Sequence, residues 1–523
     1  MKNFSTFGVM IDMSRNAVMT VESLKKYMSL LKKIGYNAIM PYTEDTYEVS
    51  GEPYFGYMRG RYSKDEMKEI DDYGVSIGME VIPCIETLAH LDTAFHWGKI
   101  PNDCDNILLV DDERTYELID RMFATTSECF RSRKINVGMD EAHMLGRGKY
   151  LDKHGYVPSN EILKRHLSRV CEIAKKYDYE LMVWSDMFFG NYSKKAIVAP
   201  DEALCSLLDT VIPIYWDYHI TNEAVYSDKM DKHMQISERT WYAGAAWGWY
   251  GPIPHNKFTL QTMLPAINAC KKNKIKNVII TMWGDYGAEC SHISQLPALF
   301  YLAQYAKGER DEEKIKRKFN SLIGIDFDDF MKIDSPNDVE PYSGPPRNPS
   351  NYMIYSDYFN GFLDYTVKEG IGDKYTEIAN ELVYIAKKSR KYGYVFDSAA
   401  KLSYLLSVKY ELGVKTRNAY KSQDMEKLKA LALNDYSKVE KLLRDYISAF
   451  EKQWMKENKP QGFDTHENRL GGLLLRTASC KRRILDYTSG RLDKIDELEE
   501  ELLPFGNKEH TMLYNGRFTP NWR

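Results

Sequence analysis

KINVGMDEAH (134–143) is a short apolar run that ends in two adjacent acids, and NEILKRHLSRVCEIAKKY (160–177) follows it as an amphipathic helical pattern. The run is apolar on both parities, as a parallel strand covered on both faces must be. The same unit repeats in both directions. TFGVMID (6–12), YNAIMPY (36–42) and MEVIPCIE (79–86) come before it. ELMVWSD (180–186), TVIPIYW (210–216), TWYAGAAW (240–247) and NVIITMW (277–283) come after. Helical stretches such as VESLKKYMSLLKKIG (21–35) and LQTMLPAINACKKNK (260–274) lie between them. Eight strand–helix units in roughly 300 residues predict an α/β fold of the (β/α)8 TIM barrel type. A doubly wound open sheet competes, but it does not need eight equivalent units.

QLPALFYLAQYAKG (295–308) reads as the closing helix, so the barrel is expected over 1–310. DSPNDVEPYSGPPRNPSN (334–351) is rich in Pro, Asn, Ser and Gly, and 311–352 is expected to be a linker or loop region. From 353 to 523 apolar residues recur at helical spacing with Lys and Glu between them, which predicts an all-α C-terminal domain. Within it RLGGLLLR (469–476) sets leucines beside glycines and permits close helix approach. It predicts a homodimer through the helical domain, unless those leucines simply pack the bundle.

The 523 residues are 43% hydrophobic and 28% charged, which excludes a mostly disordered chain. A net charge of -4 gives no global attraction to nucleic acid or to an anionic membrane. The 8 cysteines are scattered singly, without the close pairs of a zinc knuckle or a disulfide framework. No apolar run is long enough to span a membrane, and the first residues lack a signal-peptide core. These features predict a cytoplasmic protein.

In such a barrel the chemistry sits at the carboxyl ends of the strands. Those ends supply Arg15; Glu44 and Asp45; Glu86 and His90; Asp140 and Glu141; Trp184 and Asp186; Tyr215, Trp216 and Asp217; Tyr242, Trp247 and Trp249; and Trp283, Asp285 and Glu289. Aromatic faces stack on the C–H face of a pyranose, and carboxylates do acid, base and hydroxyl-binding work, so this set favours a glycosidase pocket. Asp140 and Glu141 would point to opposite sides on a regular strand, yet both can face the mouth where the strand turns into a loop. Two acids at one strand end, instead of two on separate strands, suggest substrate-assisted catalysis. One would protonate the leaving oxygen while the other orients a 2-acetamido group that replaces an enzyme nucleophile.

Plainer readings exist for each feature. An Asp–Glu pair after an apolar run is usually a solvated loop start. DEAH (140–143) also spells a helicase box, but no GxxxxGK[ST] phosphate loop precedes it. His90, His96 and His143 match no metal-ligand spacing, so no metal and no cofactor are expected. The aromatic residues could be barrel core, although barrel interiors favour Val, Ile and Leu. Arg15 could serve only a surface salt bridge.

Taken together, Arg15 in MSRN, Glu86 and His90 in ETLAH, Gly138-Met139-Asp140-Glu141, Trp184, Trp283 and Asp285 resemble glycoside hydrolase family 20, the β-N-acetylhexosaminidases. The resemblance covers roughly residues 6 to 308. Glu86 stands where Asp is more usual, and Asp285 where Glu is. WMKENKPQGFDTHENRLGGLLLR (454–476) resembles the compact members similar to streptococcal N-acetylglucosaminidases and to hexosaminidase D. Unlike many members, the chain opens directly on the first strand, where they carry an accessory α/β domain.

The resemblance implies an exo-β-N-acetylhexosaminidase that releases terminal β-linked GlcNAc or GalNAc from oligosaccharides or glycoconjugates through an oxazolinium intermediate. Glu141 would be the acid and then the base, and Asp140 would accept the acetamido N–H. Tyr242 would donate to the acetamido oxygen, with Trp184, Trp216 and Trp283 as pocket walls. Arg15 and Asp285 would bind ring hydroxyls, and Glu86 and His90 would stand behind the acid. A catalytically inactive sugar-binding protein and a retaining glycosidase with an enzyme nucleophile are the alternatives.

Overall fold

The computed structural model of the chain describes residues 4–189, 206–340 and 346–503. Eight parallel strands close into a barrel. They are β1 (Thr6–Asp12), β2 (Ala38–Thr43), β3 in two pieces (Glu80–Val81 and Cys84–Ile85), β4 (Lys134–Asn136), β5 (Glu180–Trp184), β6 (Ile212–Trp216), β7 (Trp241–Ala245) and β8 (Asn277–Met282). Closure runs through β1, where Gly8 lies opposite Ala38 of β2 on one side and Ile279 of β8 on the other. Pro83 has no N–H to give to the ladder, and β3 breaks around it. The predicted (β/α)8 barrel is therefore the observed one, with β4 shorter than its apolar run because the chain turns sharply after Asn136.

The outer layer consists of α1 (Val21–Ile34), α2 (Lys64–Ser76), α3 (Glu113–Cys129), α4 (Ser159–Lys175), α5 (Glu223–Ile236), α6 (Asn256–Lys272) and α7 (Leu296–Ala306). Local chemistry sets their starts. Ser63 and Glu66 form a reciprocal capping box on α2, and the Thr20 hydroxyl caps α1 at the Ser23 amide. The barrel interior is filled by Met10, Met40, Tyr42, Cys84, Met182, Trp184, Ile214, Trp241 and Ile279, among others. Fully burying an aliphatic side chain of this size stabilises the fold by about 1.5–3 kcal/mol.

The chain divides into two compact units. The first comprises 1–246, 259–283 and 299–310; the second comprises 247–258, 284–298 and 311–523. The second is built on α8 (Ile371–Lys388), α9 (Gly393–Lys421), α10 (Ser437–Glu457) and α11 (Phe463–Thr488). Within it, the segment 284–298 is held by α10 and α11. His466 bonds the Gly287 carbonyl at 2.8 Å, and the Ser291 hydroxyl donates to Glu457 at 2.6 Å. The stretch 311–352, expected to be a linker, contains the helices Glu312–Ile323 and Phe327–Met331, each capped by an aspartate (Asp311, Asp326). The Pro- and Gly-rich composition that suggested a loop begins only beyond them, and 341–345 lie outside the described residues. In RLGGLLLR, Leu470 and Leu473 are buried within the helical unit while Leu475 is exposed. No described helix is long and apolar enough to cross a membrane.

Candidate active site at the carboxyl end of the barrel

The turn after β4 shapes the site. Gly138, Met139 and Glu141 have φ of 72°, 73° and 51°. For the two residues with side chains, this left-handed geometry costs about 1–2 kcal/mol each. Three side chains from three strands hold it. Asn136 Oδ1 accepts from the Gly138 amide at 3.0 Å. Glu86 Oε2 accepts from the Met139 amide at 3.3 Å. Asp186 Oδ2 accepts from the Glu141 amide at 3.1 Å.

This turn defeats the strand alternation that would separate neighbouring acids. A single ring nitrogen, His90 Nε2, lies 3.5 Å from Asp140 Oδ2 and 3.8 Å from Glu141 Oε2. His90 also has a positive φ, 56°. Burial disfavours its charged ring, but the neighbouring Asp140 carboxylate outweighs that and holds its pKa up at about 10. Burial and the Asp140 charge push Glu86 well above the usual carboxylate range. Glu86 therefore favours its neutral form, which avoids a second negative charge beside Asp140. Asp186 is raised to about 7, by burial first and then by Asp140.

A second cluster forms around Arg15. Its guanidinium bonds Asp12 Oδ2 at 3.0 Å and Glu44 Oε1 at 3.2 Å. It also lies 5.2 Å from the ring of Tyr42 and 5.5 Å from that of Trp283. Burial raises Glu44 to about 7 against the pull of Arg15. Trp283 meets Tyr42 edge-on at 5.0 Å and tilts over Trp184 at 6.1 Å. Trp216 donates from Nε1 to Asp186 Oδ1 at 3.2 Å and stacks on Tyr218 at 5.6 Å.

Arg15, Glu86, His90, Asp140, Glu141, Trp184, Trp216 and Trp283 thus belong to one connected set at the strand ends. Tyr242 does not. Trp241 and Ala243 fill the barrel interior, so Tyr242 faces outward by the period of two. It is fully buried, its hydroxyl donates to the Asp217 carbonyl at 2.6 Å, and its ring packs edge-on against Tyr226 of α5 at 5.9 Å. Asp285 lies in the 284–298 segment, which belongs to the second unit. Asp186 and Glu44, collected at the strand ends but given no role from sequence, and Tyr42 and Tyr218, which sequence reasoning left out, also belong to the site. The first two stand at strand ends, where the only available signal is position, because neither belongs to a motif.

Five buried polar atoms in this set have no hydrogen-bond partner: Asp140 Oδ1, Glu86 Oε1, His90 Nε2, Trp184 Nε1 and Trp283 Nε1. Among the described residues no three of His, Cys, Asp and Glu are grouped so as to hold a metal ion.

A closed (β/α)8 barrel whose fourth strand ends in paired acids and whose mouth is walled with tryptophan has the architecture of a glycoside hydrolase. The family model described as the glycosyl hydrolase family 20 catalytic domain matches residues 4–206, and the one described as the Glycoside Hydrolase 20C C-terminal domain matches 327–515. The chain belongs to glycoside hydrolase family 20. Hexosaminidase D of Homo sapiens is 22% identical over 338 residues, covering 58% of this chain and 66% of that protein. Hexosaminidase D of Bos taurus is 23% identical over 337 residues, covering 58% of this chain and 92% of that protein. The match thus spans just under two thirds of the human relative. Among solved structures, a chitobiase of Flavobacterium johnsoniae is 14% identical over 86% of this chain and 78% of its own, with a TM-score of 0.49.

Proposed function

We propose that the protein is an exo-acting β-N-acetylhexosaminidase working by substrate-assisted retention. Glu141 gives its proton to the glycosidic oxygen as the carbonyl oxygen of the 2-acetamido group attacks C1. The C1–O bond breaks, and a bicyclic oxazolinium forms. Asp140 accepts the acetamido N–H and balances the positive charge that develops on the ring. Glu141 then takes a proton from the water that reopens the intermediate. Tyr218, stacked on Trp216 at the end of β6, takes the role of donor to the acetamido oxygen that Tyr242 cannot fill. Arg15 and Glu44 bind ring hydroxyls of terminal GlcNAc or GalNAc.

The observation that carries this reading is Asp140 Oδ1, buried and without a partner while Oδ2 faces His90. A buried acceptor left open costs about 1–3 kcal/mol, a cost that an incoming N–H offsets. A cytoplasmic setting is supported by the seven described cysteines, all of them unpaired thiols. Self-association through α11 would rest on Leu475; sedimentation at micromolar concentration tests it, a monomer of 60.8 kDa being the contrary result.

The test of the mechanism compares the nitrophenyl β-glycosides of N-acetylglucosamine and of glucose. The first should be hydrolysed and the second barely touched, and a thiazoline mimic of the oxazolinium should bind far more tightly than the product sugar. Comparable kcat/KM on both glycosides, with no thiazoline inhibition, would overturn the mechanism.

A further inference from the structure

We propose that Tyr54, Tyr57 and Trp97 form a platform that stacks a pyranose ring of the leaving oligosaccharide, outside the pocket for the terminal sugar. The proposal rests on the hexosaminidase reading and extends it to the aglycone.

The three residues come from the loops after β2 and β3, two neighbouring strands of the carboxyl end. Each is substantially exposed: Tyr54 43%, Tyr57 41% and Trp97 37%. They nevertheless form one cluster. Trp97 lies 5.1 Å from Tyr57 and 5.9 Å from Tyr54, and the tyrosines are 6.2 Å apart. The Lys99 ammonium sits 5.6 Å from the Tyr54 ring. Three large aromatic rings gathered in water on a catalytic face need a covering partner.

Their frame is stiff. Asp45, just beyond β2, accepts from Arg59 Nε at 3.1 Å and from the Thr93 hydroxyl at 3.1 Å, tying the two loops together. Arg59 also donates to the Ser14 carbonyl, and Arg61 to the carbonyls of Pro53 and Phe55. Gly56, at φ 66°, lies against the Asp45 carbonyl, where a Cβ would collide. Phe55 is buried edge-on against Tyr47 at 5.4 Å. The loop thus buries Phe55, Tyr47 and Tyr62 and keeps Tyr54 and Tyr57 in solvent.

These anchors adjoin the acid site. Ser14 precedes Arg15, and Thr93 follows His90 by three residues. Trp97 is seven residues past His90, so it stands within about 25 Å of it by chain length alone. The helical turn Asp92–Phe95 shortens that reach. The occupant follows from chemistry and direction. Flat rings with polar hydroxyl and N–H edges, plus one ammonium donor, suit a sugar's C–H face and its hydroxyls. An exo-acting pocket takes the terminal sugar, so only the aglycone can extend outward to the platform.

The test uses the whole chain and two kinds of substrate: the nitrophenyl β-N-acetylglucosaminide, and two oligosaccharides. The oligosaccharides are a tetramer of β-linked N-acetylglucosamine and a GlcNAc-terminated trisaccharide with galactose next to the cleaved sugar. Trp97→Ala and the Tyr54→Ala/Tyr57→Ala pair should leave kcat/KM on the nitrophenyl glycoside within about twofold. They should lower it about tenfold or more on at least one oligosaccharide, the scale of one lost stacking contact. Trp97→Phe, which keeps a ring, should recover most of the loss. Calorimetry on Glu141→Gln, with and without Trp97→Ala, reads oligosaccharide binding without turnover. Equal effects on both kinds of substrate, or unchanged oligosaccharide binding in the Trp97→Ala background, would overturn the platform. Absence of nitrophenyl release by the wild type would instead overturn the hexosaminidase reading, leaving the calorimetry to decide the platform separately.

Discussion

The Gly138 backbone lies directly against the Glu86 carboxylate, so closely that a Cβ at 138 would overlap both carboxylate oxygens. The contact joins β3 to the turn that carries Asp140 and Glu141. It also explains why glycine precedes the acidic pair by two residues: the position needs both a positive φ and an absent side chain.

Gly138→Ala should therefore destabilise the protein by about 2–4 kcal/mol, combining overpacking against Glu86 with left-handed strain. Glu86→Ala makes room for the methyl group but leaves φ unchanged, so the double variant should recover more than about 1 kcal/mol relative to additivity. Urea unfolding of the four proteins measures this. Strict additivity would show that the turn relaxes away from Glu86.

Glu141→Gln should keep the fold, since its side chain is half-exposed and its amide, not its carboxylate, makes the bond to Asp186. Loss of acid–base assistance costs typically about 10²–10⁴ in rate. The loss should be greatest on an alkyl glycoside, whose leaving group needs a proton, and smaller on a dinitrophenyl glycoside, whose leaving group needs little help. Equal losses on both would remove Glu141 from the role of acid.

His90, with its pKa near 10 against an ordinary 6.5, contributes stability as a cation held chiefly by the Asp140 carboxylate. A raised folded-state pKa gives stability that is complete below the unfolded value and lost as pH climbs through the folded one. The Tm gap between the wild type and His90→Gln should thus be widest at pH 6 and should narrow steadily between pH 6.5 and 10. Nitrogen NMR of the ring should report an imidazolium at pH 8. A neutral ring there, with a Tm gap independent of pH, would refute the ion pair.

The barrel was legible because eight apolar runs each carry the double-sided burial of a parallel strand, a signal set by the fold and repeated along the chain. Where a run is broken, as by Pro83 in β3, the sequence shows the cause. The capped helix from Glu312 to Ile323 was hidden by the loop-like composition that follows it. In the site, acids and tryptophans at strand ends could be listed from position alone, but position does not give orientation. One-residue parity decides whether a side chain enters the barrel or meets the helices, and β7 offers aromatics on both parities at Trp241 and Tyr242. Asp186 illustrates a different limit. Its importance lies in the amide of Glu141 and the indole of Trp216, partners that are distant in sequence and carry no motif.

The sharpest contrast lies between two tyrosines. Tyr242 is sealed between β7 and the outer helices, with its hydroxyl on the Asp217 carbonyl, whereas Tyr218 stacks on Trp216 at the end of β6. Tyr242→Phe removes one buried hydrogen bond and should cost about 1 kcal/mol of stability with kcat/KM almost unchanged. Tyr218→Phe should do the reverse. A donor aimed at charge that develops in the transition state is worth about 10²–10³ in kcat, and its loss should leave unfolding nearly untouched. Asp186→Ala should resemble Tyr218→Phe in activity while also loosening the turn, since it frees the Glu141 amide and the Trp216 indole together. The measurement is kcat and KM on the nitrophenyl β-N-acetylglucosaminide beside urea midpoints for all three variants. A large activity loss in Tyr242→Phe with none in Tyr218→Phe would return the acetamido contact to β7 and contradict the orientation found for that strand.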